Sequence, residues 1–150
     1  MITKANALDA DSLTNIALKS KAYWGYPEEQ IESWRHDLTI TENIMENMFV
    51  YKYILEDTIA GFYILNQPKN DAIELEFLFI LPEFIGKGIG KKLLEDSYIK
   101  AKQLNATTMT LLADPNAKSF YESQGFLYFG EKESSIPNRF CPLMKKDLTL

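Results

Sequence analysis

Three glycines alternate in the stretch Pro82-Glu83-Phe84-Ile85-Gly86-Lys87-Gly88-Ile89-Gly90-Lys91-Lys92, where a run of strand character gives way to a helical one. No other segment limits the fold as strongly. A strand that meets a helix through a loop without side chains leaves backbone N–H groups open to a ligand, and the helix dipole favours negative charge at that end. Lys87, Lys91 and Lys92 add cations at the same place. The physical reading is a phosphate or pyrophosphate site. A nucleoside triphosphatase loop is excluded, because Ile85 stands where the first glycine should be and Lys92 replaces the magnesium-binding Ser or Thr. The dinucleotide fingerprint fails as well, with Lys91 at its third glycine.

The rest of the chain reads as one uninterrupted alternation of strands and helices, without repeats or low-complexity linkers. Strands are expected at residues 2–5, 48–55, 59–65, 72–81, 107–113, 126–131 and 140–146. Helices are expected at 9–19, 27–38, 90–104 and 115–124. The order describes a single α/β domain of the α+β kind, built on a mixed sheet. Nearly half of the 150 residues are apolar, enough for a core without disulfides or a structural metal.

Two motifs in this order resemble the GNAT superfamily of N-acetyltransferases. The family's phosphate loop, Gln/Arg-x-x-Gly-x-Gly/Ala between a long strand and a helix, falls on Ile85-Gly86-Lys87-Gly88-Ile89-Gly90, with Ile85 in place of the usual Gln or Arg. A second family element, Ala, then Tyr four residues on, then Gly-Phe, matches Ala117, Tyr121, Gly125 and Phe126. The resemblance covers roughly residues 2–146 and implies the acyl-CoA N-acyltransferase fold, a central, mostly antiparallel sheet with flanking helices. It also implies acetyl-CoA as cosubstrate. The pantetheine arm would pair with the backbone of Leu78, Phe79 and Ile80, and the pyrophosphate would sit on Gly86, Lys87, Gly88, Ile89, Gly90 and Lys91. Asn116 is a further cofactor contact on this reading. Asp114, where many relatives carry Asn, is instead suited to cap the helix at Pro115.

Acetyl transfer from a thioester to an amine needs a neutral nucleophile, an oxyanion site and a proton for the departing thiolate. An alkyl amine with a pKa near 10.4 is neutral in only about one part in 10³ to 10⁴ at pH 7. A base is therefore useful, and Glu74 and Glu76, two apart on one strand and so expected on one face, are the candidates. Glu74 aligns with the base position of some family members and is the preferred candidate, whereas Glu76 is one step nearer the sulfur. Tyr121 is the family's thiolate partner. Its phenol, with a reference pKa of about 10, can donate a proton at neutral pH. Tyr23, Trp24, Tyr26 and Arg139 are the candidate acceptor contacts, from an aromatic connection between two helices and a loop between the last strands.

The formal charge of −5, with scattered lysines, gives no footprint for nucleic acid. No apolar stretch is long enough to span a membrane, and a lone Cys141 without a leader suits a reducing cytoplasm. No metal is expected, since His36 has no partners at ligand spacing. The expected reaction is direct attack of a primary amine on acetyl-CoA in a ternary complex. The acceptor is a small-molecule amine or, alternatively, a protein lysine or N-terminus. A noncatalytic acyl-CoA sensor is the reading from a different class. GNAT domains often form homodimers through edge strands or C-terminal segments.

Overall fold

Residues 59–65 are apolar at nearly every position, which suits a strand covered on both faces. The computed structural model describes residues 1–149 and puts this run in the middle of the first half of a seven-stranded sheet. The strands are β1 (Ile2–Lys4), β2 (Phe49–Leu55), β3 (Thr58–Leu65), β4 (Ala72–Ile80), β5 (Thr108–Leu112), β6 (Leu127–Glu133) and β7 (Phe140–Asp147). Their order is β1-β2-β3-β4-β5-β7-β6, and every pairing is antiparallel except β4 with β5. This is the α/β GNAT fold that the resemblance implied.

Six helices flank the sheet: α1 (Ala10–Ala22), α2 (Glu28–Ser33), α3 (Arg35–Leu38), α4 (Glu42–Asn47), α5 (Ile89–Gln103) and α6 (Lys118–Ser123). Leu93, Leu94 and Ala101 of α5 and Tyr121 of α6 bury one sheet face, meeting Tyr63, Leu65, Met109 and Met144. Leu13, Ile16 and Ala17 of α1, with Leu38 of α3, bury the other, meeting Val50, Phe62 and Ile64. Among the described residues no helix is long and apolar enough to cross a membrane.

Two features depart from the expected elements, and the hairpin expected between residues 55 and 59 is present. The single helix expected at 27–38 is broken at Trp34, where α2 ends and α3 begins. Helix α4 was not foreseen; it is short, with no buried residue, and Thr41 caps it through a hydrogen bond from the Ile44 N–H. The β2–β3 turn places Glu56 and Asp57 at φ 51° and 62°, a left-handed pair that matches the twist of a tight hairpin.

The junction of β3, β4 and α5 depends on one missing side chain. A Cβ at Gly61 would lie 2.8 Å from the Phe79 carbonyl oxygen, 2.8 Å from Ile80 Cδ1 and 3.1 Å from Leu93 Cδ1. Ile80 and Leu93 can pivot, but the carbonyl can move only with β4. Gly61→Ala is therefore expected to lower stability by about 1–3 kcal/mol, read as a fall in the midpoint of thermal unfolding. An unchanged midpoint would show that β4 gives way freely.

Candidate functional site

Strands β4 and β5 run side by side only from Ala72↔Thr108 to Glu74↔Thr110, whereas β4 stays paired with β3 as far as Ile80. Beyond Glu74 the two strands part. Leu81 N–H donates to the Ala60 carbonyl at 2.8 Å, and the register continues through Gly61↔Ile80 and Phe62↔Phe79. Alternation along an antiparallel ladder then turns the backbone of Phe79 toward β3 and that of Leu78 and Ile80 into the gap. The three residues do not form one continuous free edge. Phe79 contributes its side chain instead, on the α1 face with Phe77, while Leu78 and Ile80 pack on the α5 face.

A cavity of about 580 Å³ fills this gap and reaches both faces of the sheet. At its α5 end lies the glycine loop, with Gly86 at φ 86° and Gly88 at φ 77°, a conformation that disfavours any side chain although nothing crowds either position. Among the described residues no backbone N–H from 86 to 91 finds a carbonyl, and the first helical bond runs from the Lys92 N–H to Gly88 at 3.1 Å. No side chain caps α5. These free donors, at the positive end of a 15-residue helix, form an anion site.

Tyr121 lines the same cavity, only 8% exposed, edge-on to Phe120 and Phe126. Burial, then the neighbouring Tyr98, push its pKa upward, so the phenol holds its proton at neutral pH. Glu76 also lines the cavity, and its Oε1 accepts from Asn66 Nδ2 at 2.9 Å.

Glu74 and Glu76 lie close enough for their charges to interact, but they line different pockets. The ladder slips between Ile64↔Phe77 and Leu65↔Leu75, and this bulge breaks the two-residue alternation. Leu75 accordingly packs on the α5 face and Phe77 on the α1 face. Glu74 lines a separate pocket of about 100 Å³ with Lys69 and Thr110. Burial, then the charge of Glu76, raise the pKa of Glu74.

Asp114 ties four distant segments together at the rim. Its carboxylate accepts from Lys21 Nζ at 2.7 Å, Arg139 Nη2 at 2.9 Å, Tyr26 Oη at 3.1 Å and the Asn116 N–H at 2.9 Å. The Arg139 guanidinium also lies over the rings of Tyr26 and Trp34, at 5.0 and 5.2 Å, and the Trp34 indole donates to Ser135 Oγ at 2.7 Å. Burial alone would raise the Asp114 pKa. The charge and hydrogen bond of Lys21, the Asn116 amide and Arg139 outweigh it, holding the carboxyl below its ordinary value.

Of the residues singled out in the sequence, Tyr121, Glu76, Leu78, Phe79, Ile80, Gly86, Gly88, Ile89, Gly90, Lys91, Asn116 and Trp24 line the cavity. Lys87, Tyr23, Tyr26 and Arg139 do not. Tyr23 is half exposed against Trp24, and Tyr26 and Arg139 direct their polar atoms to the Asp114 cluster. Sequence reasoning placed the 20–27 connection at the acceptor pocket but missed Leu38 and Phe77 as lining residues and Lys21 as a partner of Asp114. The density of aromatics in 20–27 was the only signal that this connection approaches the site.

Residues 25–146 match the family model described as an acetyltransferase (GNAT) domain. Among solved structures, the chain is similar to the PaiA N-acetyltransferase from Thermoplasma acidophilum in complex with coenzyme A, at 25% identity and TM-score 0.80, with 98% of each chain covered. It is also similar to an aminoglycoside 6'-N-acetyltransferase complexed with coenzyme A, at 15% identity and TM-score 0.76, covering 99% of this chain and 97% of that one. The ribosomal-protein-S18-alanine N-acetyltransferase from Escherichia coli matches at 19% identity and TM-score 0.74, covering 99% of this chain and 93% of that one. No curated protein matches the sequence.

The Asp114 cluster makes stability depend on pH. A carboxyl whose pKa is lower when folded contributes stability that is present above its ordinary value of 3.8 and is lost as pH falls through the folded value. Asp114→Asn is expected to destabilise the protein at pH 7, by about 3–5 kcal/mol if Lys21 and Arg139 stay buried. The variant should also show a shallower loss of stability in acid than the parent. Unfolding midpoints across pH 2–7 measure both effects, and parallel curves would show that Asp114 is not the responsible group.

Proposed function

The chain belongs to the GNAT family of acetyltransferases, which use acetyl-CoA as acetyl donor, and we propose that it transfers the acetyl group to a primary amine by direct attack in a ternary complex. One observation carries this reading: a single cavity passes through the parted sheet, lined on one face by an anion site and Tyr121 and on the other by Leu38, Phe77 and Phe79, with Glu76 in its lining. The donor and the acceptor can therefore meet from opposite faces.

The free N–H groups of residues 86–91 suit the pyrophosphate, with Lys91 beside them. The backbone of Leu78 and Ile80, turned into the gap, suits the amides of the pantetheine arm, in the manner of an added strand. That geometry also brings an N–H of β4 near the thioester carbonyl, where it would stabilise the developing oxyanion.

Glu76 is the better base of the two glutamates, because it faces the cavity, while Glu74 opens to the smaller pocket. It takes a proton from the acceptor ammonium, and the freed nitrogen lone pair attacks the carbonyl carbon. As the tetrahedral intermediate collapses, the carbon–sulfur bond breaks and the Tyr121 hydroxyl protonates the leaving thiolate, while the second proton of the attacking nitrogen passes through water to restore the phenol. Products are the N-acetyl amide and CoA thiol. Cys141 lies outside the cavity lining and accepts from Arg139 Nη1 at 3.4 Å, which supports direct transfer over a cysteinyl intermediate.

Acetyl-CoA is expected to raise the thermal unfolding midpoint with ligand concentration. Gly88→Ala, which forces a side chain into left-handed backbone at a cost of about 1–2 kcal/mol, should reduce that rise. Tyr121→Phe should keep it while lowering kcat by about 10²-fold. Glu76→Gln should lower kcat/KM for amines at pH 7 more than Glu74→Gln does. Transfer by Tyr121→Phe at the parent rate would remove the phenol from the mechanism, and the reverse order of the two glutamine variants would make Glu74 the base.

A further inference from the structure

The two ends of the cavity differ in chemistry. The α5 end offers amide donors and Lys91, whereas the α1 end is walled by Trp24, Leu38, Phe77 and Phe79. Four charged side chains line the whole cavity: Lys21, Glu76, Lys91 and Asp114. Lys21 at 2.7 Å and Arg139 at 2.9 Å both bond to the Asp114 carboxylate, a cluster with one net positive charge whose members are paired with one another. Glu76 is thus, among the described residues, the carboxylate of the cavity lining that no cation pairs with. Its hydrogen-bond partner, the Asn66 amide, is neutral, and among the described residues no lysine or arginine pairs with it.

We propose that the acceptor is a compact apolar monoamine. Its one ammonium is received by Glu76, and its aryl or alkyl body fills the aromatic wall. The inference rests on the acetyl-transfer reading and extends it to substrate class. A free amino acid would bring a carboxylate that has to compete with Asp114 for Lys21 and Arg139, both of which already bond to it. A polyamine would lay further ammonium groups against Phe77, Phe79 and Leu38, away from any carboxylate lining the cavity. In both cases a charge loses its hydration without gaining an uncommitted partner, and discrimination arises from that penalty. An apolar body, by contrast, gains by leaving water.

Initial rates of CoA-thiol release at saturating acetyl-CoA test the assignment with four acceptors: 2-phenylethylamine, L-phenylalanine, spermidine and an alanine-initiated tripeptide amide. The expected kcat/KM for 2-phenylethylamine exceeds each of the others by about tenfold or more. Trp24→Ala, at a half-exposed position that the fold tolerates, should raise KM for 2-phenylethylamine severalfold with a smaller change in kcat. Equal or better use of L-phenylalanine, spermidine or the peptide overturns the proposal. So does the absence of turnover with 2-phenylethylamine while acetyl-CoA still stabilises the protein, a result that leaves the acetyl-CoA reading standing. Failure of acetyl-CoA to stabilise the protein would instead overturn that reading, and the acceptor class with it.

Discussion

The pairing of β4 with β5 ends after Glu74, and the rest of the site depends on that limit. Parallel strands so short contribute little to the ladder, yet both are held elsewhere, β4 by β3 and β5 by β7. The sheet can therefore open without losing its outer pairings. Opening leaves backbone groups of Leu78 and Ile80 unpaired, a cost that a buried strand can bear only where a ligand or water takes up those groups. Cavity and sheet are thus two descriptions of one geometry.

A gap in a sheet would close or drift without something to hold its rim. The Asp114 cluster supplies that restraint, joining the end of α1, the loop before α2, the end of β5 and the loop before β7. The Asp114 side chain is only 9% exposed, and removing its carboxylate would leave Lys21 and Arg139 facing each other without a counter-ion rather than merely losing a contact. On the opposite face, Tyr63 donates from the core to Asp96 at 2.7 Å and fastens α5 to β3. The loop at the start of α5 is therefore positioned by an anchored helix.

What the sequence made legible was local. The glycines of the loop declared themselves because a left-handed backbone selects glycine wherever it occurs, and Tyr121 was marked by its spacing to Gly125 and Phe126. The strands and most helices followed from apolar periodicity. The bulge at Glu76 was not legible, because an extra residue in one strand is defined only against the strand it pairs with. The break at Trp34 answers to a ring packed between Tyr26 and Arg139, 113 positions apart in the chain. The same distance hid the role of Arg139: a lone arginine in a loop looks free until its carboxylate is found.

The uncapped start of α5 ties two properties that are usually adjusted separately. A helix ordinarily completes its first turn with a side chain of its own, and here glycine at that position leaves the donors for something outside the chain. The protein without ligand is consequently an unfinished helix, and whatever anion docks there finishes it. Selection for a more durable empty protein would favour an internal cap, and each donor so engaged would be withdrawn from the ligand. Durability and affinity are coupled at this loop, so a variant lineage can improve one there only by giving ground on the other.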